Sequence, residues 1–123
     1  NPCAYTKKTT ILANLVVNND IGVNLGNYAA DFSPPPSPTS ITVSLNWIYS
    51  SALQNGYAGT GYQAGVSDVG HTDWIVGNKI GGAGYDQTLN PGAYAVWIDA
   101  DASFTTNVKV IGNKTNAPAP PGS

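Results

Sequence analysis

The chain contains no arginine, no glutamate and no methionine; its five bases are all lysine and its seven acids are all aspartate. The three missing types are strong helix formers, so their absence argues against a helical domain. Charged residues amount to 10%, against about a quarter in a typical globular chain. With no arginine and a net charge of −2, the sequence lacks the basic footprint that nucleic acid requires. The one cysteine, Cys3, excludes an internal disulfide and leaves a thiol that is either free or available to another chain. No apolar run approaches the length that crosses a bilayer, so no membrane span is expected. There is one histidine, His71, and no strand–turn–helix serine motif beside it. Proton transfer and nucleophilic attack therefore have no residue set to work with, and a non-enzymatic role is expected.

What remains is a palette of strand and turn formers. Threonine, valine, isoleucine, tyrosine and tryptophan favour pleated, half-buried surfaces, whereas asparagine, aspartate, glycine and proline favour turns. At 123 residues the chain forms one domain large enough for its own core. Residues 9–17 form a β-branched run with Ile11 and Leu15 on one face and Leu12 and Val16 on the other. Residues 21–25 alternate as a half-buried strand. Four prolines between residues 34 and 38 make an extended connector. Residues 41–49 alternate throughout: Ile41, Val43, Leu45, Trp47 and Tyr49 share a face. Further strands are expected around residues 62–66, 73–76, 93–99 and 104–111. The chain thus divides into an extension with two strands (1–33), a Pro-rich connector (34–40), a β body (41–112) and a Pro/Gly/Ala tail (113–123).

Residues 89–94 read as a tyrosine corner: Pro91 presets the first corner of a turn, Gly92 takes the next, and Tyr94 opens a strand. Together with Trp47 in an early strand, Gly61-Tyr62 opening a middle one and a last strand at 108–111, residues 38–112 resemble fibronectin type III and immunoglobulin-like domains. The resemblance implies an all-β Greek-key β-sandwich, with a jelly-roll as the competing topology.

Three sets of residues are candidates for function. Ile11, Leu12, Leu15 and Val16, with Cys3 nearby, form an apolar strand that can complete a neighbour's sheet. This points to a structural subunit of a pilus, filament or surface layer that pairs with copies of itself or with a neighbouring surface protein. The alternative is a carbohydrate-binding module or adhesin, in which Tyr57, Tyr62 and Tyr85 stack on a glycan and Asp86 and Gln87 bond its hydroxyls. Asp99 and Asp101, alternating at a strand end, are candidate ligands for a Ca²⁺ ion; no other cofactor is expected. Asn113-Lys114-Thr115 is a glycosylation sequon. The neutral polar surface, and a start at Asn1 rather than Met, suggest a processed, extracellular or cell-surface protein.

Overall fold

A computed structural model describes residues 8–26, 34, 38–51, 62–89 and 91–122. Its strands are β1 (Thr10–Leu12), β2 (Leu15–Val17), β3 (Ile21–Gly26), β4 (Thr42–Ser44), β5 (Trp47–Tyr49), β6 (Gln63–Val69), β7 (Trp74–Val76), β8 (Lys79–Gly81), β9 (Ala93–Ile98) and β10 (Lys109–Ile111). Among the described residues one 3-10 turn covers Ala83–Tyr85.

Every third strand falls in the same sheet. The sheets run β1-β4-β7-β10, β2-β5-β8 and β3-β6-β9. All strand pairings in them are parallel. The chain therefore winds as a three-sided solenoid: β1–β3, β4–β6 and β7–β9 are successive coils, and β10 begins a fourth. This overturns the Greek-key sandwich, immunoglobulin-like and jelly-roll alike, because both are built from antiparallel neighbours. Parallel neighbours need a long crossover; here the crossover is the remainder of each coil.

The corners explain the winding. Lys8, Ser40, Thr72 and Asn107 all have positive φ, and so do Ala13, Leu45, Gly77 and Gly112. Each set marks one corner in each of the four coils. The residue after the second corner is always asparagine: Asn14, Asn46, Asn78 and Asn113. The corner reverses the alternation. Ile41 and Val43 point inward, Leu45 sits in the turn 64% exposed, and Ile48 is inward again. Residues 41–49 are thus two strands on two sheets rather than one. Residues 9–17 break likewise at Ala13, with β1 in one sheet and β2 in another. Leu45 bears the strain of a left-handed backbone that Gly77 and Gly112 take without a Cβ. Leu45→Gly is expected to raise stability by up to about 1 kcal/mol, read as a higher midpoint in urea with an unchanged slope.

The core is the stacked interior of the coils: Val23, Leu25, Ile41, Val43, Ile48, Val66, Ile75, Ile80 and Tyr85, with Ile11, Val16, Ala95, Val96 and Val108 packed against it. Ile11, Val43 and Ile75 are in register, as are Val16, Ile48 and Ile80. Each fully buried aliphatic contributes about 1.5–3 kcal/mol of transfer free energy. Gly65 lets Ile80 Cγ2 lie against the β6 backbone; a Cβ there would collide with it.

The proposed tyrosine corner does not form. Tyr94 lies within β9, in register with Ala64 of the parallel strand β6, and no antiparallel crossover is present among the described residues for it to pin. The end of the tail folds back along the outside of the solenoid. Ala117 N donates to Ile80 O at 3.0 Å, and Trp47 Nε1 donates to Pro118 O at 3.1 Å.

Candidate assembly site

Asparagine is stacked on asparagine along one corner of the solenoid. Asn14 N and Nδ2 both donate to Asn46 Oδ1, at 2.9 and 3.0 Å. Asn46 N and Nδ2 donate in the same way to Asn78 Oδ1, both at 3.0 Å. Asn78 N and Nδ2 donate to Asn113 Oδ1, both at 2.9 Å. The other amide hydrogen of each upper residue returns to the coil before: Asn46 Nδ2 to Ile11 O, Asn78 Nδ2 to Val43 O and Asn113 Nδ2 to Ile75 O. The ladder satisfies backbone N–H groups at a buried turn, where an unpaired donor is costly.

The ladder has a direction, and its two ends differ. Each asparagine oxygen accepts from the coil before it. Asn14 Oδ1, on the first described coil, has no donor among the described residues. At the other end, Asn113 presents its backbone N–H past the last rung.

The sheets end unevenly too. Among the described residues β1, β2 and β3 each have one neighbour, as do β9 and β10. β8 is extended by a parallel bridge from Lys79 to Lys114 and by the bond from Ala117 N to Ile80 O. At the far end the partial fourth coil leaves Val110 42% and Ile111 55% exposed. Beside β9 and β10 opens a cleft of about 730 Å³, lined among others by Tyr85, Asp86, Tyr94, Val96, Val110 and Asn116.

The residues singled out from sequence are distributed as follows. Cys3 and Tyr57 lie outside the described residues. Ile11 and Val16 are half-buried against the core of their own chain, while Leu12 and Leu15 face out, Leu15 at 60% exposure. β1 and β2 pair with β4 and β5 of the same chain, so the N-terminal strands already belong to a sheet and offer a neighbour only their outer edges.

Tyr62 stacks on Trp97 with centroids 4.8 Å apart, and its hydroxyl meets Ser67 Oγ at 2.8 Å. Tyr85 is buried and donates to Asn19 O at 2.5 Å; burial, then the charge of Asp20, push its phenol above the usual range. Tyr62 and Tyr85 thus face different surroundings, and Tyr85 has no face free for a sugar. Asp86 Oδ1 accepts from Thr88 Oγ1 and N, which hold its carboxyl below the usual range. Gln87 is exposed at the cleft.

Asp99 and Asp101 are used in consecutive turns. Asp99 Oδ1 accepts from Asp101 N. Asp101 Oδ1 accepts from Ser103 N and Oγ, which lower its pKa. Among the described residues no group of three metal-ligating side chains is assembled. Asn113 occupies the last rung of the ladder, with its Nδ2 bonded to Ile75 O at 2.8 Å. A glycan on that nitrogen would compete with this bond.

The asparagine ladder was not singled out from sequence, yet it left a signal. A β-branched residue is followed three positions on by asparagine at 11–14, 43–46, 75–78 and 110–113, with rungs spaced 32, 32 and 35 residues apart. Fixed spacing of this kind is how repeat architectures announce themselves. Compared with known protein families, with curated proteins and with solved structures, the chain has no significant match.

Proposed function

We propose that this chain is a non-enzymatic, extracellular structural subunit that associates with copies of itself, end to end, through the edges of its coils. The observation that carries this reading is the open far end of the solenoid. There, among the described residues, β9 and β10 each have one neighbour, Val110 and Ile111 are exposed, and a cleft opens beside Tyr94 and Val96 of β9. Unpaired strand edges are templates for further pairing. Because the two ends differ, contact between them is head-to-tail, which extends into a filament unless the rotation closes a ring. The low surface charge favours such stacking, since little like-charge repulsion opposes it.

The test is light scattering across a concentration series together with electron microscopy of the protein. Particles that grow with concentration and appear as filaments or rings are expected. Val110→Lys combined with Ile111→Lys, both at exposed positions, should weaken association by about tenfold or more while leaving the unfolding midpoint unchanged. A species that stays monomeric throughout the series and forms no ordered assembly overturns the reading.

A further inference from the structure

Asp68, on β6, is fully buried. Neither of its carboxylate oxygens meets a hydrogen-bond donor from another group, and neither does Asp73 Oδ2. The other oxygen of Asp73 is well used: Oδ1 accepts from Thr39 Oγ1 at 2.7 Å and from Ile41 N at 2.8 Å. The in-register neighbours of Asp68 are Leu25 on β3 and Ile98 on β9, both apolar. A Cβ on Gly70 would collide with both Asp73 Oδ2 and Thr39 Oγ1, so Asp73 is tightly enclosed on that side.

Two ionised carboxylates cannot bond to each other, since both offer only acceptors. Buried without a counter-charge, they are also severely destabilised. The charged and titratable groups nearby do not neutralise them. His71 Nδ1 is engaged with Thr106 Oγ1 at 2.8 Å. Lys109 meets this corner only through its backbone N–H, bonded to Asp73 O; its ammonium lies 4.7 Å from the centroid of the Trp74 ring. Asp99, whose N–H donates to Asp68 O, is acidic itself. A single proton resolves the conflict and needs no space: it turns one acceptor into a donor and removes one charge.

We propose that Asp68 and Asp73 share one proton, and that this buried acid pair is a pH-sensitive latch on the corner where the second coil turns into the third. It stands independently of the assembly reading. Burial, then the hydrogen bond to Asp73 and its charge, push Asp68 up from 3.8 to about 8. In the unfolded chain the group ionises near 3.8, whereas in the folded chain it keeps its proton. Below about pH 4 both states are protonated and the stability is fully present. Between about pH 4 and about 8 only the unfolded state releases the proton, and stability falls. Above about pH 8 both have released it and the loss is complete.

The experiment measures urea unfolding from pH 4 to pH 9. The folding equilibrium constant of the wild type should fall steeply, by up to about tenfold per pH unit. Asp68→Asn keeps a donor toward Asp73 and cannot ionise, so this slope should disappear and the variant should exceed the wild type at pH 8. His71→Gln, at the same corner, should keep the slope. Infrared spectra of the folded wild type at pH 6 should show a protonated carboxyl band that Asp68→Asn lacks; this readout holds even if the variant is hard to refold. A flat or rising pH profile overturns the proposal, as does an unchanged slope in Asp68→Asn or the absence of the carboxyl band. A wild type stabilised at pH 8 by Ca²⁺ and weakened by a chelator also overturns it, placing a cation between the two carboxylates instead.

Discussion

Asn78→Ala is expected to destabilise the solenoid by about 3–5 kcal/mol, a shift in melting temperature on the order of 10–20 °C for a chain of this size. The side chain is almost fully buried and bonds in both directions. Its removal leaves Asn46 N and an Asn46 amide hydrogen without their acceptor, and Val43 O without its donor. Unmet buried groups carry their full desolvation cost, which exceeds the modest net value of the bonds themselves. The control is Asn14→Ala on the exposed first rung, where only that residue's own amide contacts vanish. That change should cost under about 1 kcal/mol. Equal losses at the two positions, measured by urea denaturation, would show that the ladder does not act as a connected series.

Ile48→Ala should cost about 2–4 kcal/mol. Ile48 is fully buried between Val16 in the coil before and Ile80 in the coil after. Close packing from both sides leaves little to collapse into the vacated volume, so lost transfer energy and an unfilled cavity add. The contrast is Leu15, placed in one apolar strand with Ile11 by the unbroken reading of residues 9–17. At 60% exposure its truncation should change stability by no more than about 0.5 kcal/mol. Calorimetric melting of the two variants side by side checks both values, and the gap between them is what an inward–outward assignment across the Asn14 corner requires.

Much of the strand content was legible. The β-branched and aromatic runs around residues 10–17, 21–25, 41–49, 74–76 and 93–98 are strands, and no long helix intrudes among the described residues. Pairing was not legible from local pattern. A short strand reads the same whether its neighbour is parallel or antiparallel, and each partner here is a full coil away in sequence. The corner at Leu45-Asn46 was hidden because leucine seldom takes positive φ, and its apolar side chain fits an unbroken alternation from Ile41 to Tyr49. The information lay in comparing distant segments, where asparagine returns after the same β-branched lead. Asp68 and Asp73 were not legible at all. A carboxylate in an alternating strand reads as a surface residue, and only the winding of β6 into the corner near Thr39 encloses the two together.

The 32-residue spacing of the ladder also sets how the chain reaches this state. No hairpin exists among the described residues to seed order locally, and the first native strand pairing must close a loop one full turn long, at an entropic penalty few later contacts repeat. Nucleation is therefore a two-coil event, slow as non-local topologies are. Once it has occurred, each further turn docks onto a ready-made surface and needs only its immediate predecessor, so ordering spreads outward like a zipper from the middle coils toward both ends.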